Sequence, residues 1–383
     1  MKKTLIALAV LGAAAGTAYA QSNVTIYGVV DTGYVKKTGV DTQMDENVNS
    51  RIGFKGVEDL GDGLKATFQL EKRMDVAKGT IKGVEWEGNS NVGLKHDDWG
   101  AIRLGRMNGI LTENIRKFDP FFQYGVGGMI DSTQRGVRRS NMIRYDSPDW
   151  AGFSFSAAYE LGRNMNDKSR TVDGKYVRHS DWDDAGLSNG YENDGYQIGL
   201  NYKYGGFAAT ADYQVLADSN RSHVWGVGLS YSWDTVKVEA LYQDTLDKAN
   251  YLTAKEAFGA APDGLGWTPK GKYTDPGILG SDAVASTSVR EQQALLGVEW
   301  KVGPGRLNAS AQWLGIEGKG IMSGMDEDAW KVAVGYNYNL SKRTSLYGIV
   351  SYTDWGSKEV GAYMDDVAQD SVTAVQLGIT HKF

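Results

Sequence analysis

The stretch Ser371-Val372-Thr373-Ala374-Val375-Gln376-Leu377-Gly378-Ile379-Thr380-His381-Lys382-Phe383 decides the fold. Val375, Leu377, Ile379 and Phe383 alternate with Ala374, Gln376, Gly378 and Lys382, a period of two that no helix can accommodate. It places one apolar and one polar row on opposite faces of a strand. The chain stops on Phe. On a chain bound for export, an amphipathic strand in that position is the closing strand expected of a transmembrane β-barrel.

Export is read at the other end. Lys2 and Lys3 form a charged n-region, Leu5 to Gly16 an apolar run too short to span a bilayer, and Ala18-Tyr19-Ala20 an A-x-A cleavage site. Residues 1–20 are therefore expected to be a signal peptide and 21–383 a single barrel domain. Losing Lys2 and Lys3 from 41 basic residues leaves 39 against 47 acidic ones, taking the net charge from −6 to −8. An acidic exported chain is a poor partner for nucleic acid. With no cysteine, it must be held by burial or by closure of a hydrogen-bonded sheet.

There are 49 Gly, 21 Tyr and 11 Trp but 6 Pro, and no apolar run of about 20 residues follows the signal, which excludes membrane-spanning helices. Strands of about 9–11 alternating residues suffice for a barrel. Such segments occur near Val24–Tyr34, Arg51–Val57, Leu64–Met74, Ser90–Lys95, Ala101–Gly109, Met142–Tyr145, Phe153–Leu161 and Gly195–Tyr204. They continue at Phe207–Leu216, Val224–Trp233, Val236–Leu246, Glu291–Lys301, Leu307–Ile316, Ala329–Leu340, Ser345–Trp355 and Val372–Phe383. Short links such as Gly205–Gly206 and Asp234–Thr235 alternate strictly with long polar ones, the longest being Ile110–Asn141, Gly162–Asp194 and Asp247–Arg290. The expectation is an all-β fold: a 16-stranded antiparallel transmembrane β-barrel with short periplasmic turns and long extracellular loops.

Alternation is cleanest where Phe207, Ala209, Ala211, Tyr213 and Val215 oppose Ala208, Thr210, Asp212 and Gln214. It recurs where Val332, Val334, Tyr336 and Tyr338 oppose Ala333, Gly335, Asn337 and Asn339. The apolar rows face lipid and the polar rows an aqueous lumen. Trp99, Trp150, Tyr204, Trp233, Trp300 and Tyr338 fall beside the short links, as an aromatic girdle at one interface requires. A soluble β-sandwich would also alternate, but it leaves the signal peptide, the loop rhythm and the terminal strand unexplained.

Val24-Thr25-Ile26-Tyr27-Gly28-Val29-Val30-Asp31, Ser50-Arg51-Ile52-Gly53-Phe54-Lys55-Gly56 and Glu58-Asp59-Leu60-Gly61-Asp62-Gly63-Leu64-Lys65-Ala66 resemble Gram-negative general porins of the β-proteobacterial and neisserial type. Ile102-Arg103-Leu104-Gly105-Arg106, Arg144-Tyr145-Asp146-Ser147-Pro148 and His381-Lys382-Phe383 extend the likeness over essentially the whole mature chain. Asp149-Trp150 departs from the Glu-Phe common in relatives, keeping charge and aromaticity. The resemblance implies a homotrimer in the outer membrane, among lipid and lipopolysaccharide, with the third long loop folded into the pore. It also implies that the barrel-assembly machinery reads Phe383.

A barrel of about 16 strands leaves a channel unless something narrows it. By position Ile110–Asn141 is the third long loop; it carries Glu113, Asp119 and Asp131 around an apolar centre, Phe118 to Ile130, able to pack on the inner wall. Parity sets Arg51, Lys55, Arg73, Arg103 and Arg144 on the lumen side, with Arg135, Arg138 and Arg139 where the loop rejoins the wall. Arginines facing loop carboxylates set up a transverse field in a constriction of reduced permittivity, and the local excess of arginine points to weak anion preference. The competing reading is that these arginines pair with Glu71, Asp75 or Asp31 and stiffen the wall. The family pattern singles out Arg51 and one of Arg139 and Arg144.

No catalytic constellation emerges. Gly186-Leu187-Ser188-Asn189-Gly190 fits G-x-S-x-G but lies in a polar loop with no following helix. Asp181, Asp183, Gly186 and Glu192 match calcium-loop positions, yet Ala185 breaks the pattern. His96, His179, His223 and His381 lack zinc spacing, and no cofactor is implied. Three classes remain: a diffusion channel for small hydrophilic solutes and ions, a substrate-selective channel, and a barrel serving as adhesin or hydrolase. The mostly small, amide or charged inward positions favour the first, and a hydrolase would need a serine beside His96 or His223.

Overall fold

The computed structural model describes residues 23–82, 86–130, 138–162, 171–172, 175–176, 194–217, 221–248, 288–320, 326–365, 367 and 369–383. Within them sixteen strands form one closed antiparallel wall. The first eight are β1 Asn23–Lys37, β2 Arg51–Gly61, β3 Leu64–Asp75, β4 Ser90–His96, β5 Gly100–Asn108, β6 Arg138–Asp146, β7 Phe153–Glu160 and β8 Gly195–Tyr204. The second eight are β9 Phe207–Val215, β10 His223–Trp233, β11 Val236–Lys248, β12 Ser288–Val302, β13 Gly305–Lys319, β14 Asp326–Asn339, β15 Thr344–Asp354 and β16 Ser371–Lys382. The barrel closes because β1 pairs with β2 along Asn23–Val29 and with β16 along Val29–Lys37. No described helix is long and apolar enough to cross a membrane. The expected signal peptide lies outside the described residues.

Alternation explains which face is wet. On β9 Phe207, Ala211 and Tyr213 are exposed on the outside while Thr210, Asp212 and Gln214 are buried inside; on β14 Val332 and Val334 point out and Ala333 and Gly335 in. An outward apolar row next to hydrocarbon costs nothing, and the inward polar row keeps its partners. Trp99, Trp150, Tyr204, Trp233, Trp300 and Tyr338 are all exposed beside the short turns. The tightest of those turns are two-residue hairpin links; Gly205, for instance, adopts φ 56° in the link to β9.

The alternation of short and long links is looser than expected. β9 and β10 are joined by the short run 216–222, and β13 and β14, which run further out than their patterns suggest, by 320–325. β6 differs more. It begins at Arg138, so Arg138 and Arg139 belong to the wall and not to the returning loop. The cause is a bulge: Gly105 pairs with Met142 but Met107 with Arg139, with Asn141 left-handed at φ 55°. One extra residue resets the inside–outside parity and hides the strand's start from a period-two reading.

The third and eighth loops enter the lumen. The third folds into α1 Ile110–Ile115, a 3-10 turn Arg116–Phe118 and a run to Ile130 along the inner wall. The eighth, after Trp355, carries α2 Lys358–Asp365 and was not foreseen. Val360 and Val367 of that loop bury against Ile130 of the third loop and against Leu314, Ile316, Ala329 and Val372 of the wall, and Lys37 ties Asp365 at 2.6 Å.

Candidate pore constriction

The third loop is held by side chains that the polar inner rows of the wall supply. The Ile110 amide donates to Gln197 Oε1 (2.7 Å), that of Val126 to Gln376 Oε1 (3.0 Å) and that of Ile130 to Gln312 Oε1 (2.7 Å). Asn114 Nδ2 donates to Asp212 Oδ1 at 2.7 Å, Lys237 Nζ to the Lys117 carbonyl at 2.8 Å and Lys331 Nζ to the Gly128 carbonyl at 2.6 Å. Leu111, Ile115, Phe118 and Met129 bury against Val224, Leu241 and Leu295, while Phe121 and Val126 join Val35, Ala333, Tyr347, Ile349 and Ala374. The loop thus spreads over the β8–β16 side and leaves the β2–β6 wall facing it across the water.

That bare wall carries the arginines, in sets that share carboxylates. Arg51 and Arg73 both reach Glu71 (3.4 and 3.2 Å). Arg106 and Arg138 both reach Glu87 (3.0 and 3.7 Å), and Arg138 stands in the field of Arg73. Arg103 and Arg144 both reach Asp146 (2.6 and 2.8 Å), and Arg144 also binds Glu113 of the loop at 2.7 Å. The third set balances two guanidiniums with two carboxylates. Among the described residues, each of the first two leaves one positive charge over.

Exposure separates the residues that meet solute from those that hold the wall. The side chains of Arg51, Arg103 and Glu113 stay 23%, 26% and 27% exposed, whereas Arg73 and Arg144 fall to 8% and 5%. Arg73 also interacts electrostatically with Tyr124 of the third loop. Glu71 is the wall partner anticipated from sequence; Asp75 instead pairs with Lys78 at 3.3 Å. Asp31 pairs with no arginine among the described residues and accepts from Tyr347 Oη (2.8 Å), the Asn47 amide (2.7 Å) and Thr380 Oγ1.

Two expected pore residues are not at the pore. Arg139 is 1% exposed and bridges to the fully buried Glu160 at 3.3 Å, so it braces β6 against β7. Asp119 is fully buried; its carboxylate accepts from the amides of Phe121 (2.9 Å), Gln123 (2.8 Å) and Met129 (2.9 Å) and knots the loop on itself. Burial pushes its carboxyl above the ordinary range, and the three amides and Lys331 oppose that rise. Asp131, Arg135 and the 181–192 motifs lie outside the described residues. Lys55 faces the lumen over the Tyr27 ring, 5.3 Å from its centroid.

Glu87, Asp146, Arg106 and Tyr124 complete the site without having been assigned to it. Asp146 was legible, because Arg144 and Asp146 share a face two residues apart, as Glu71 and Arg73 do. Glu87 lies in a loop and has no such signal. His96 is spent locally: Nδ1 accepts the Asp98 amide (3.1 Å), Nε2 meets the Asp62 carbonyl (2.9 Å) and the ring stacks on Trp99. Among the described residues no group of three or more His, Asp or Glu could hold a metal.

Known proteins carry the same architecture. The Gram-negative porin family profile matches residues 7–356. An outer membrane porin protein of Bordetella pertussis is 30% identical over 418 residues and outer membrane porin protein 32 of Delftia acidovorans 30% over 410, each covering all of both chains. Among solved structures, an anion-selective porin from Comamonas acidovorans superposes with a TM-score of 0.68 at 22% identity, covering 95% of this chain and 100% of its own. A closed, lipid-facing wall of sixteen strands with a water-lined interior, together with these relatives, places the chain in the outer membrane as a member of the Gram-negative porin family.

Proposed function

We propose that this porin passes small hydrophilic solutes and ions down their own gradients, with a weak preference for anions, and that its work is conduction and not catalysis. The observation that carries the preference is the uneven pairing on the β2–β6 wall, where Glu71 serves Arg51 and Arg73, and Glu87 serves Arg106 and Arg138. Two positive charges left uncompensated among the described residues, beside a narrow, partly desolvated path, favour anions even though the whole chain is acidic, because a permeating ion senses charges within about a Debye length of 8–10 Å. Glu113 and Asp146 neutralise the third set, which keeps the preference weak.

The same reading includes a homotrimer embedded among outer-membrane lipid and lipopolysaccharide, residues 1–20 as an export signal, and barrel-assembly machinery engaging Phe383. These follow from the family likeness and the sequence. The deciding measurement is the reversal potential of the purified protein in planar bilayers under a potassium chloride gradient. A sign set by chloride supports the proposal; a potassium-set sign overturns the anion preference, and absence of conductance overturns the channel.

A further inference from the structure

Strand interiors disfavour glycine, which packs nothing and costs conformational entropy, so inward-facing glycines in a barrel wall call for a reason. Five of them lie beneath the third loop: Gly199 on β8, Gly226 and Gly228 on β10, Gly297 on β12 and Gly335 on β14. A Cβ built on Gly199 would lie 2.5 Å from Ile110 Cγ2 and one on Gly226 2.9 Å from Ile115 Cδ1. One on Gly297 would lie 2.5 Å from Pro120 Cγ and one on Gly335 3.0 Å from Phe121 Cε1, while one on Gly228 would run into the Phe118 ring. Real Cβ atoms essentially never come under 3.0 Å of a neighbour, and the 3.0 Å at Gly335 is tighter than nine in ten real contacts; Gly199 and Gly335 also meet Asp212 and Ile349 of the wall.

The order matters as much as the distances. Residues 110, 115, 118, 120 and 121 of the loop meet glycines on β8, β10, β10, β12 and β14, in sequence on both sides. Registration shows why the contact steps across the wall: Gly226 pairs with Asp212, which pairs with Gly199, whereas Gly228, Gly297 and Gly335 each sit on a different row. The loop crosses tilted strands, so its seat must descend from row to row. Elsewhere strand glycines are covered by the wall itself, as Gly53 is by the Tyr27 ring and Gly348 by Leu377.

We propose that this diagonal of glycines, with Gly228 and Gly297 at its centre, determines selectivity by setting the depth of the third loop and hence the bore. The glutamine anchors fix where the loop lies along the wall; the missing Cβ atoms fix how far it stands off. Because the loop faces the arginine wall, a change in stand-off alters both conductance and the distance from permeating ion to arginine. The inference rests on the channel reading above, and the parent protein in the same bilayer separates the two: no parental conductance defeats the channel, whereas a conducting parent leaves the seat to be judged by its variants.

Gly228→Ala and Gly297→Ala are compared with the parent and with Gly348→Ala, which adds a Cβ on the outer face, 3.1 Å from Leu377. The seat predicts that both inner variants assemble and show single-channel conductance lowered about twofold with a shifted reversal potential, while Gly348→Ala conducts as the parent does. Adding Phe118→Ala to Gly228→Ala removes the ring that the new methyl meets and should return conductance towards the parental value. Parental conductance in both inner variants, or no recovery in the double variant, overturns the proposal. If Gly228→Ala alone fails to assemble, the double variant decides: recovery of assembly and conductance supports the seat, and continued failure shows that the strand itself needs the glycine.

Discussion

Phe383 and Gly28 lock together across the seam of the barrel: the Phe383 amide donates to the Gly28 carbonyl at 3.1 Å, and the Gly28 amide donates to the Phe383 carbonyl at 3.0 Å. The aromatic ring then lies over the space where any other residue at position 28 would carry its Cβ. Removing Phe383 takes away two ladder bonds and the ring at once. Deletion should lower the amount of protein inserted in the outer membrane, while barrels that do form conduct as the parent does. Gly28→Leu should lower insertion as well. Normal abundance of both variants in fractionated membranes would refute this account of the seam.

Arg51 and Glu71 offer opposite shifts from one ion pair. Arg51→Gln removes a solute-facing positive charge and should move the permeability ratio about twofold towards cations, whereas Glu71→Gln strips the shared carboxylate and should move it about twofold towards anions. Reversal potentials in a salt gradient measure both. Identical potentials in the two variants would mean that the bore, and not these charges, sets the preference.

Arg139 should behave differently from Arg51 in every respect. Its guanidinium is buried with Glu160, and breaking such a pair from one side costs about 3–5 kcal/mol. Arg139→Leu is therefore expected to reduce heat-resistant, folded protein on unboiled gels and to leave the reversal potential of surviving channels unchanged. A shift in selectivity with full assembly would return Arg139 to the pore.

Asp119→Asn tests the knot in the third loop. An amide offers one acceptor where three backbone N–H groups converge, and each buried donor left unsatisfied costs about 1–3 kcal/mol. The expected outcome is a normal amount of inserted barrel with noisy, flickering current, because the wall does not depend on Asp119 but the loop does. Steady parental current would show that the knot is dispensable.

How much of this could be read from the chain depends on how local each cause is. The strands were legible, because the outside–inside alternation of segments such as Phe207–Val215 is written in adjacent residues, and their turns were marked by glycine and aspartate. Parity alone stops β6 short, because the extra residue at Asn141 breaks the alternation. The same rule sets Arg51 and Arg103 on the inner face, where the carboxylates they reach, Glu71 and Asp146, also lie. Arg139 and Asp119 were misplaced for a different reason: charge alone does not say whether a group faces water or a partner, and their partners, Glu160 and a curled loop backbone, are set by tertiary packing. The inward turn of the eighth loop and the glycine seat are contacts between remote segments, with no periodicity to betray them.

Asp31 and Thr380 share a hydrogen bond although 349 residues separate them, and Tyr347 joins the same carboxylate from β15. One long edge of β1 consequently has no mate until the final strand has crossed the inner membrane. The polypeptide cannot mature piecemeal as it emerges; it must wait, extended and sticky at that edge, and such unmated edges are templates for aggregation. Timing, and with it a need for escorts through the periplasm, is thereby written into the geometry of the seam.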